Sequence, residues 1–163
     1  MVVIRDAVLE DLPNILNIYN YAIVHLTATF DTEEETLEDR QNWFDNHNEK
    51  YPVIVAEMDG EVVGFSCLSP FKRKKAYSQS AEISIYTSPE SQGKGIGKAL
   101  MEEIIERAKQ NGFRTIIAVI TSGNEASVRL HKKFGFKFAG RIKEVGYKFG
   151  QWLDVEYYQL LLK

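Results

Sequence analysis

The chain has 163 residues, 44% of them hydrophobic, with 20 basic against 23 acidic side chains and a formal charge of −3. That length suits one domain with a core of its own, needing neither disulfides nor a structural metal. The slight acidity speaks against a general nucleic-acid binder, which presents a basic field. A single cysteine, Cys67, excludes an internal disulfide and any multi-cysteine zinc site. Its setting in the apolar run GFSCL reads as a packed strand. Charges at Arg5, Asp6, Glu10 and Asp11 fit no signal peptide, and no apolar run approaches the roughly 18 residues of a membrane span. The expectation is a soluble cytoplasmic protein with no nucleic-acid and no membrane partner.

Taken in chain order, residues 2–7 read as a strand. Residues 9–24 follow as a helix, with Leu12, Ile15, Leu16, Tyr19 and Ile23 at helical spacing. Pro13 falls in its first turn, where the missing N–H is no loss. Residues 25–35 are polar and read as a loop. A second helix over 36–48 uses Leu37, Trp43 and Phe44 as apolar contacts. The runs VIVAEM and EVVGFSCLS flank Asp59 and Gly60, the pair a type I′ hairpin turn prefers because both central residues need positive φ. Residues 71–80 form a basic loop. AEISIYTS alternates as a strand and Pro89 stops it. Residues 92–112 predict a long helix with Ile96, Leu100, Ile104 and Ala108 on one stripe and Gly112 as its C-cap. TIIAVI is a buried strand. Asn124 caps a last helix whose core stripe is Ala126, Leu130 and Phe134. Strands over 136–145 and 152–162 finish the chain. The order β-α-α-β-β-β-α-β-α-β-β predicts an α/β (α+β) fold, a mixed sheet flanked by helices, as one domain over 1–163.

The sharpest chemical signal is QGKGIGK, residues 92–98, between a strand and a helix. Three glycines in five residues remove the side chains that would keep a ligand from the backbone. Amides at a helix start are unpaired and carry the positive end of the helix dipole, so this turn suits a pyrophosphate. It is not a P-loop, because the spacing is one residue short and Ala99 follows the lysine. Nor is it a dinucleotide fingerprint, because Lys98 fills the third glycine position.

The pattern resembles the Q/R-x-x-G-x-G/A signature of the GNAT superfamily of acyl-CoA N-acyltransferases, with Gln92, Gly95 and Gly97 at its defined positions. NEASVRLHKKFGF is similar to that superfamily's later N-x-x-A-x-x-L-Y-x-x-x-GF segment, with Ser127 and His131 as departures. TATFDTE, FKRKKAY, AEISIY and the tail VGYKFGQWLDVEYYQLLL resemble the phosphinothricin and methionine sulfoximine acetyltransferases in order along nearly the whole chain. The resemblance implies the GNAT fold, with a central, mostly antiparallel sheet, and acetyl-CoA as co-substrate.

It also implies roles residue by residue. The pyrophosphate would sit on Gly93, Lys94, Gly95, Ile96, Gly97 and Lys98, and the pantetheine arm would pair with the backbone of Ile85, Tyr86 and Thr87. Asn124 and Lys133 match further cofactor contacts; the first is also a plain N-cap and the second a cation near a helix C-terminus. Glu82 matches the catalytic glutamate. An acid amid small and apolar strand residues is poorly explained as a solvated accident, and partial burial raises a carboxyl toward the range useful for taking a proton. Bland alternatives are an ion pair with the basic loop for Glu82 and a structural role for His131. A backbone N–H near Ile85 would serve the thioester oxygen. His131 lies seven residues after Asn124, on the same helix face, and is expected to face the cofactor, where it protonates the thiolate or assists the base. Phe30 and Thr32 would wall the acceptor pocket, Ile83 and Ser84 would line it beside Glu82, and Lys72, Arg73 and Lys74 would meet an acceptor anion. Lysines at 72 and 74 replace the family's arginines and cannot form a bidentate fork, which leaves that anion open. Trp152 and Tyr157 suit sheet core or a dimer surface, and a homodimer is expected. The sequence thus reads as an N-acetyltransferase acting on the α-amine of a small amino-acid analogue. The alternatives are another amine (a polyamine, an aminoglycoside or a protein N-terminus) and a non-catalytic acyl-CoA sensor. No metal is expected.

Overall fold

Seven strands and four α-helices make up the computed structural model, which describes residues 1–162. In chain order they are β1 (Val2–Asp6), α1 (Leu12–His25), α2 (Leu37–Asp45), β2 (Val53–Met58), β3 (Glu61–Pro70), β4 (Ser80–Thr87), α3 (Ile96–Gln110), β5 (Thr115–Thr121), α4 (Glu125–Lys133), β6 (Lys137–Lys148) and β7 (Gln151–Leu161). Among the described residues no helix is long and apolar enough to cross a membrane.

The strands form one sheet in the order β1-β2-β3-β4-β5-β7-β6, antiparallel except for the β4–β5 pair. Local chemistry sets its turns. Asp59 and Gly60 both have positive φ, 52° and 79°, as the type I′ hairpin between β2 and β3 requires. Phe149 and Gly150 repeat the device between β6 and β7, with φ of 55° and 71°. Each face of the sheet carries its own apolar layer. α3 buries Ile96, Leu100, Ile104 and Ala108 on one face, as their spacing predicts, with Val128 and Leu130 of α4 and Phe134 just after it beside them. α1 lays Leu12, Ile15 and Ile18 on the other, with Trp43 and Phe44 of α2 packed against Val55 and Phe65. Burying each such aliphatic side chain contributes about 1.5–3 kcal/mol. Cys67 is buried in β3, as its apolar setting predicts.

Several packing expectations need correction. Leu37 is exposed, and the side chain that α2 buries is Arg40, whose guanidinium lies between the Tyr19 and Trp43 rings at 4.2 and 4.1 Å. The delocalised cation stacks on two aromatic faces there, doing the work expected of an apolar residue. In α4, Ala126 is exposed and His131 is the buried residue, edge-on to Phe136. The helix is amphipathic, but its inward position is polar. The long helix begins at Ile96 rather than at Gln92, because Gly93 and Gly95 take positive φ. Trp152 is 62% exposed and lies tilted against the Tyr147 ring, centroids 4.9 Å apart, outside the sheet core.

Candidate active site

The parallel pair β4–β5 is short. Its register runs from Ser80–Thr115 to Ile83–Ala118 and stops, while β4 continues to Thr87 along β3 and β5 continues to Thr121 along β7. The sheet therefore opens between its two central strands. Hydrogen bonds from Ser88 N to Val63 O (2.8 Å) and from Phe71 N to Ser80 O (3.4 Å) bracket the β3–β4 ladder. Its alternation turns even-numbered β4 residues toward β3, and the N–H and C=O of Ile85 and Thr87 toward the opening. A cleft of about 1040 Å³ passes through this split. An unpaired strand edge inside a cleft is a ready partner for an extended ligand carrying amides.

At the end of β4 the glycine turn closes one side of the cleft. Gly93 and Gly95 adopt φ of 76° and 79°, left-handed values that a residue with a Cβ reaches only at a cost. The first helical bond of α3 is Ala99 N to Gly95 O (3.1 Å), so the helix start leaves the amides of Ile96, Gly97 and Lys98 without intrahelical acceptors. Gln92 Nε2 donates to Thr87 Oγ1 (2.9 Å), tying the turn back to the strand. Gly93, Gly95, Ile96, Gly97 and Lys98 all line the cleft; Lys94 does not. The arrangement is an anion cradle at a helix N-terminus next to an amide-lined edge.

Glu82 occupies the last stretch where β4 still has neighbours on both sides, opposite Ser69 of β3 and Ile117 of β5. Its side chain is half-buried on the α1 face and lines the cleft with Ile83, Ser84 and Tyr86. Burial raises its carboxyl above the ordinary glutamate value, and the positive charge of Lys72 opposes the shift. Lys72, Arg73 and Lys74 are exposed and outside the cleft wall. Lys72 thus acts on Glu82 through its field rather than by an ion pair.

The wall facing Glu82's side of the sheet is a stretch without regular structure, residues 26–30, after α1. Four successive carbonyls there are held by side chains from elsewhere. Lys148 Nζ donates to Leu26 O (2.7 Å) and Thr29 O (2.8 Å), Thr121 Oγ1 to Thr27 O (2.7 Å), and Tyr86 OH to Ala28 O (3.4 Å). Tyr19 OH binds Thr29 Oγ1 (2.9 Å) and donates to Asp31. Phe30 joins the cleft wall as expected; Thr32 is exposed and outside it. Thr27, Ala28, Thr29 and Thr121 are wall residues that sequence reasoning missed. Thr27, Ala28 and Thr29 fall in the run TATFDTE, but nothing local shows what holds their carbonyls, because the loop has no periodicity and its partners lie far away in sequence.

Asn124 and His131 both line the cleft from α4, while Lys133 is exposed and outside it. Asn124 is the N-cap as predicted, its Oδ1 accepting from Ser127 N (3.3 Å). His131 Nδ1 lies 2.7 Å from Ser127 O. A carbonyl only accepts, so Nδ1 carries the proton and the neutral ring keeps a lone pair at Nε2. Burial lowers its pKa, outweighing the opposing effect of the Ser127 hydrogen bond, and favours that neutral form.

An opened mixed sheet with an anion cradle on one side and a desolvated carboxylate on the other is the framework of an acyl-transfer enzyme. The model of the Acetyltransferase (GNAT) family matches residues 15–136. The chain belongs to the GNAT family and is an N-acetyltransferase. It is 40% identical over 161 residues to an L-methionine sulfoximine/L-methionine sulfone acetyltransferase of Pseudomonas aeruginosa, covering 98% of this chain and 94% of that protein. The crystal structure of an N-acetyltransferase from Staphylococcus aureus Mu50 matches with a TM-score of 0.98 and 43% identity, covering 100% of this chain and 99% of that one. A GNAT superfamily phosphinothricin acetyltransferase from Sinorhizobium meliloti, solved in complex with AcCoA, matches at 0.96 and 38% identity, over 99% and 88% of the two chains.

Proposed function

We propose that the protein transfers the acetyl group of acetyl-CoA directly to the α-amine of a small amino-acid analogue of the methionine sulfoximine, methionine sulfone or phosphinothricin type, with Glu82 as general base. The observation that carries this reading is the position of Glu82: a desolvated carboxylate with raised pKa, on the cleft wall, where the sheet opens. The amides of Ile96, Gly97 and Lys98 suit the pyrophosphate, with Lys94 and Lys98 adding positive charge around it. The free edge at Ile85 and Thr87 suits the two amides of the pantetheine arm. The Pseudomonas and Sinorhizobium relatives carry these substrates and AcCoA in their names.

Acetyl-CoA supplies the acetyl group as an activated thioester. Glu82 takes the ammonium proton of the acceptor, directly or through water, so that the neutral nitrogen forms the new C–N bond as the C–S bond breaks; CoA leaves as the thiolate and takes up the second proton that the nitrogen sheds in becoming an amide. The N–H of Ile85 faces the opening, where it is suited to meet charge developing on the thioester oxygen. His131, neutral with an Nε2 lone pair, suits assistance to the base better than protonation of the thiolate, which needs the imidazolium. Lys72 with Arg73 and Lys74 gives the acceptor side a positive field for a carboxylate, as point charges rather than a fork. The exposed Phe138, Tyr147, Phe149 and Trp152 of the β6–β7 hairpin support a homodimer.

The test is thiol release from acetyl-CoA against methionine sulfoximine, methionine sulfone, phosphinothricin, spermidine, an aminoglycoside and an N-terminal peptide. Turnover confined to the first three is expected. Turnover confined to the polyamine, the aminoglycoside or the peptide overturns the acceptor and leaves the chemistry standing.

A further inference from the structure

Gly146 and Lys148 lie two residues apart on β6, so they face the same side of the strand. Both are buried, while Tyr147 between them is 58% exposed. Neither lines the cleft, yet both touch the segment that does. Lys148 is 4% exposed and, among the described residues, has no carboxylate within ion-pair distance; its ammonium is met by the carbonyls of Leu26 and Thr29. Placing an ammonium there costs desolvation that an apolar side chain would avoid. What the lysine adds is a two-point clamp on backbone that no helix or sheet holds. Gly146 meets the next residue of that segment. A methyl group added at Gly146 would fall 2.6 Å from Phe30 Cζ and 2.7 Å from Cδ2, inside van der Waals contact. The ring therefore rests on bare backbone, and its other side contributes to the cleft that holds Glu82.

We propose that Gly146 and Lys148 are positioning residues for acceptor selection: Lys148 fixes the backbone of residues 26–29, Gly146 leaves the berth for the Phe30 ring, and together they set the space available to an acceptor side chain. This rests on the acceptor end of the cleft assigned above. The size of that space follows from a strand remote from the catalytic carboxylate in sequence. Any side chain at 146 drives Phe30 off β6 and changes which acceptors fit. Loss of the ammonium at 148 frees the backbone that carries the ring.

A double-mutant cycle with Gly146→Ala and Phe30→Ala tests the first half, using the panel amine that the wild type acetylates best. Gly146→Ala alone is expected to raise the acceptor KM about tenfold, the scale of one methylene in a shaped pocket, with the Kd for acetyl-CoA measured without acceptor unchanged. In the Phe30→Ala background the same substitution should leave the acceptor KM unaltered, because the ring it displaces is gone. An equal factor in both backgrounds overturns the berth, since a merely structural loss is additive. Lys148→Met tests the second half by hydrogen exchange. Amides of residues 26–31 should exchange about tenfold faster or more, as expected for losing two bonds from a charged donor, with α3 amides unchanged. Unchanged exchange over 26–31 overturns the clamp. The exchange measurement needs no acceptor, so it decides the clamp even where no analogue is acetylated. A wild type that acetylates a different panel amine overturns the substrate class alone, and the cycle is run on that amine.

Discussion

The two sides of the cleft are built on opposite principles. The side proposed for the cofactor is made of regular elements that offer their own backbone: the open edge of β4 at Ile85 and Thr87 and the start of α3 at Ile96, Gly97 and Lys98. All of it lies within one continuous stretch, residues 85–98. The side proposed for the acceptor is irregular backbone whose carbonyls are taken up by side chains of β4, β5 and β6, as many as 122 residues away. A ligand with the same polar handle every time, such as a pyrophosphate, is met by main-chain groups that substitution leaves in place. A wall held by side chains is retuned by single substitutions, which suits the half of the site that distinguishes one amine from another.

The contrast is broken most severely at the carboxylate. Glu82→Gln should lower kcat about 10²–10⁴-fold, the usual worth of a positioned general base, while the Kd for acetyl-CoA, read by calorimetry, stays put. Equal turnover at every pH would remove Glu82 from the chemistry. Next in size is a change on the cofactor side alone. An alanine Cβ at Gly95 meets nothing within 4 Å, so Gly95→Ala costs only the left-handed conformation, roughly 1–2 kcal/mol. That corresponds to about a 5–30-fold weaker Kd for acetyl-CoA, with the acceptor KM nearly unchanged. A loss on the acceptor side instead would show that the two sides are mechanically coupled through α3.

The same contrast explains what the sequence disclosed. The α3 stripe, the Asp59–Gly60 hairpin, the Asn124 cap and the glycine turn are local: periodicity and turn chemistry write them within a few residues. Glu82 stood out because an acid interrupts an apolar strand. Phe30 was placed on the wall through the resemblance of its run, but the anchoring of the backbone over 26–29 was not legible, because a loop's polarity is the same whether its carbonyls face water or a buried lysine. Lys148 lies between the strands expected over 136–145 and 152–162, so no alternation in the sequence marks it as inward. Arg40 was hidden in the same way, since only its stacking between Tyr19 and Trp43 makes a cation an inward residue.

Electrostatics on the acceptor side give a subtler break, one in pH rather than in height. Burial raises the Glu82 carboxyl and Lys72 holds the rise back. Lys72→Met removes the opposing charge, so the acid limb of the kcat/KM profile should move to higher pH, because Glu82 then keeps its proton, and is lost as a base, over a wider acidic range. A limb that moves to lower pH, or not at all, would show that the Lys72 field does not reach the carboxylate in the working enzyme.

The smallest effect separates the sides most cleanly, because Tyr86 serves both: its backbone lies in the open strand and its hydroxyl donates to Ala28 O across the cleft. Burial pushes the phenol's pKa far above its ordinary value, so the hydroxyl remains a donor at any working pH. Tyr86→Phe keeps the stacking on Phe65 at 5.4 Å and the edge contact with Tyr19 at 5.3 Å, and deletes the hydroxyl alone. At 3.4 Å the lost bond is long, and about 0.5–1 kcal/mol is the scale to expect. For a chain of this length that lowers Tm by about 1–4 °C. Because Ala28 is released while the strand edge is intact, the acceptor KM should rise by about two- to fivefold and the acetyl-CoA Kd should not move. A matching loss in acetyl-CoA affinity would mean that the strand edge at Ile85 and Thr87, on either side of Tyr86, depends on the loop across from it, and that the two walls are one structure.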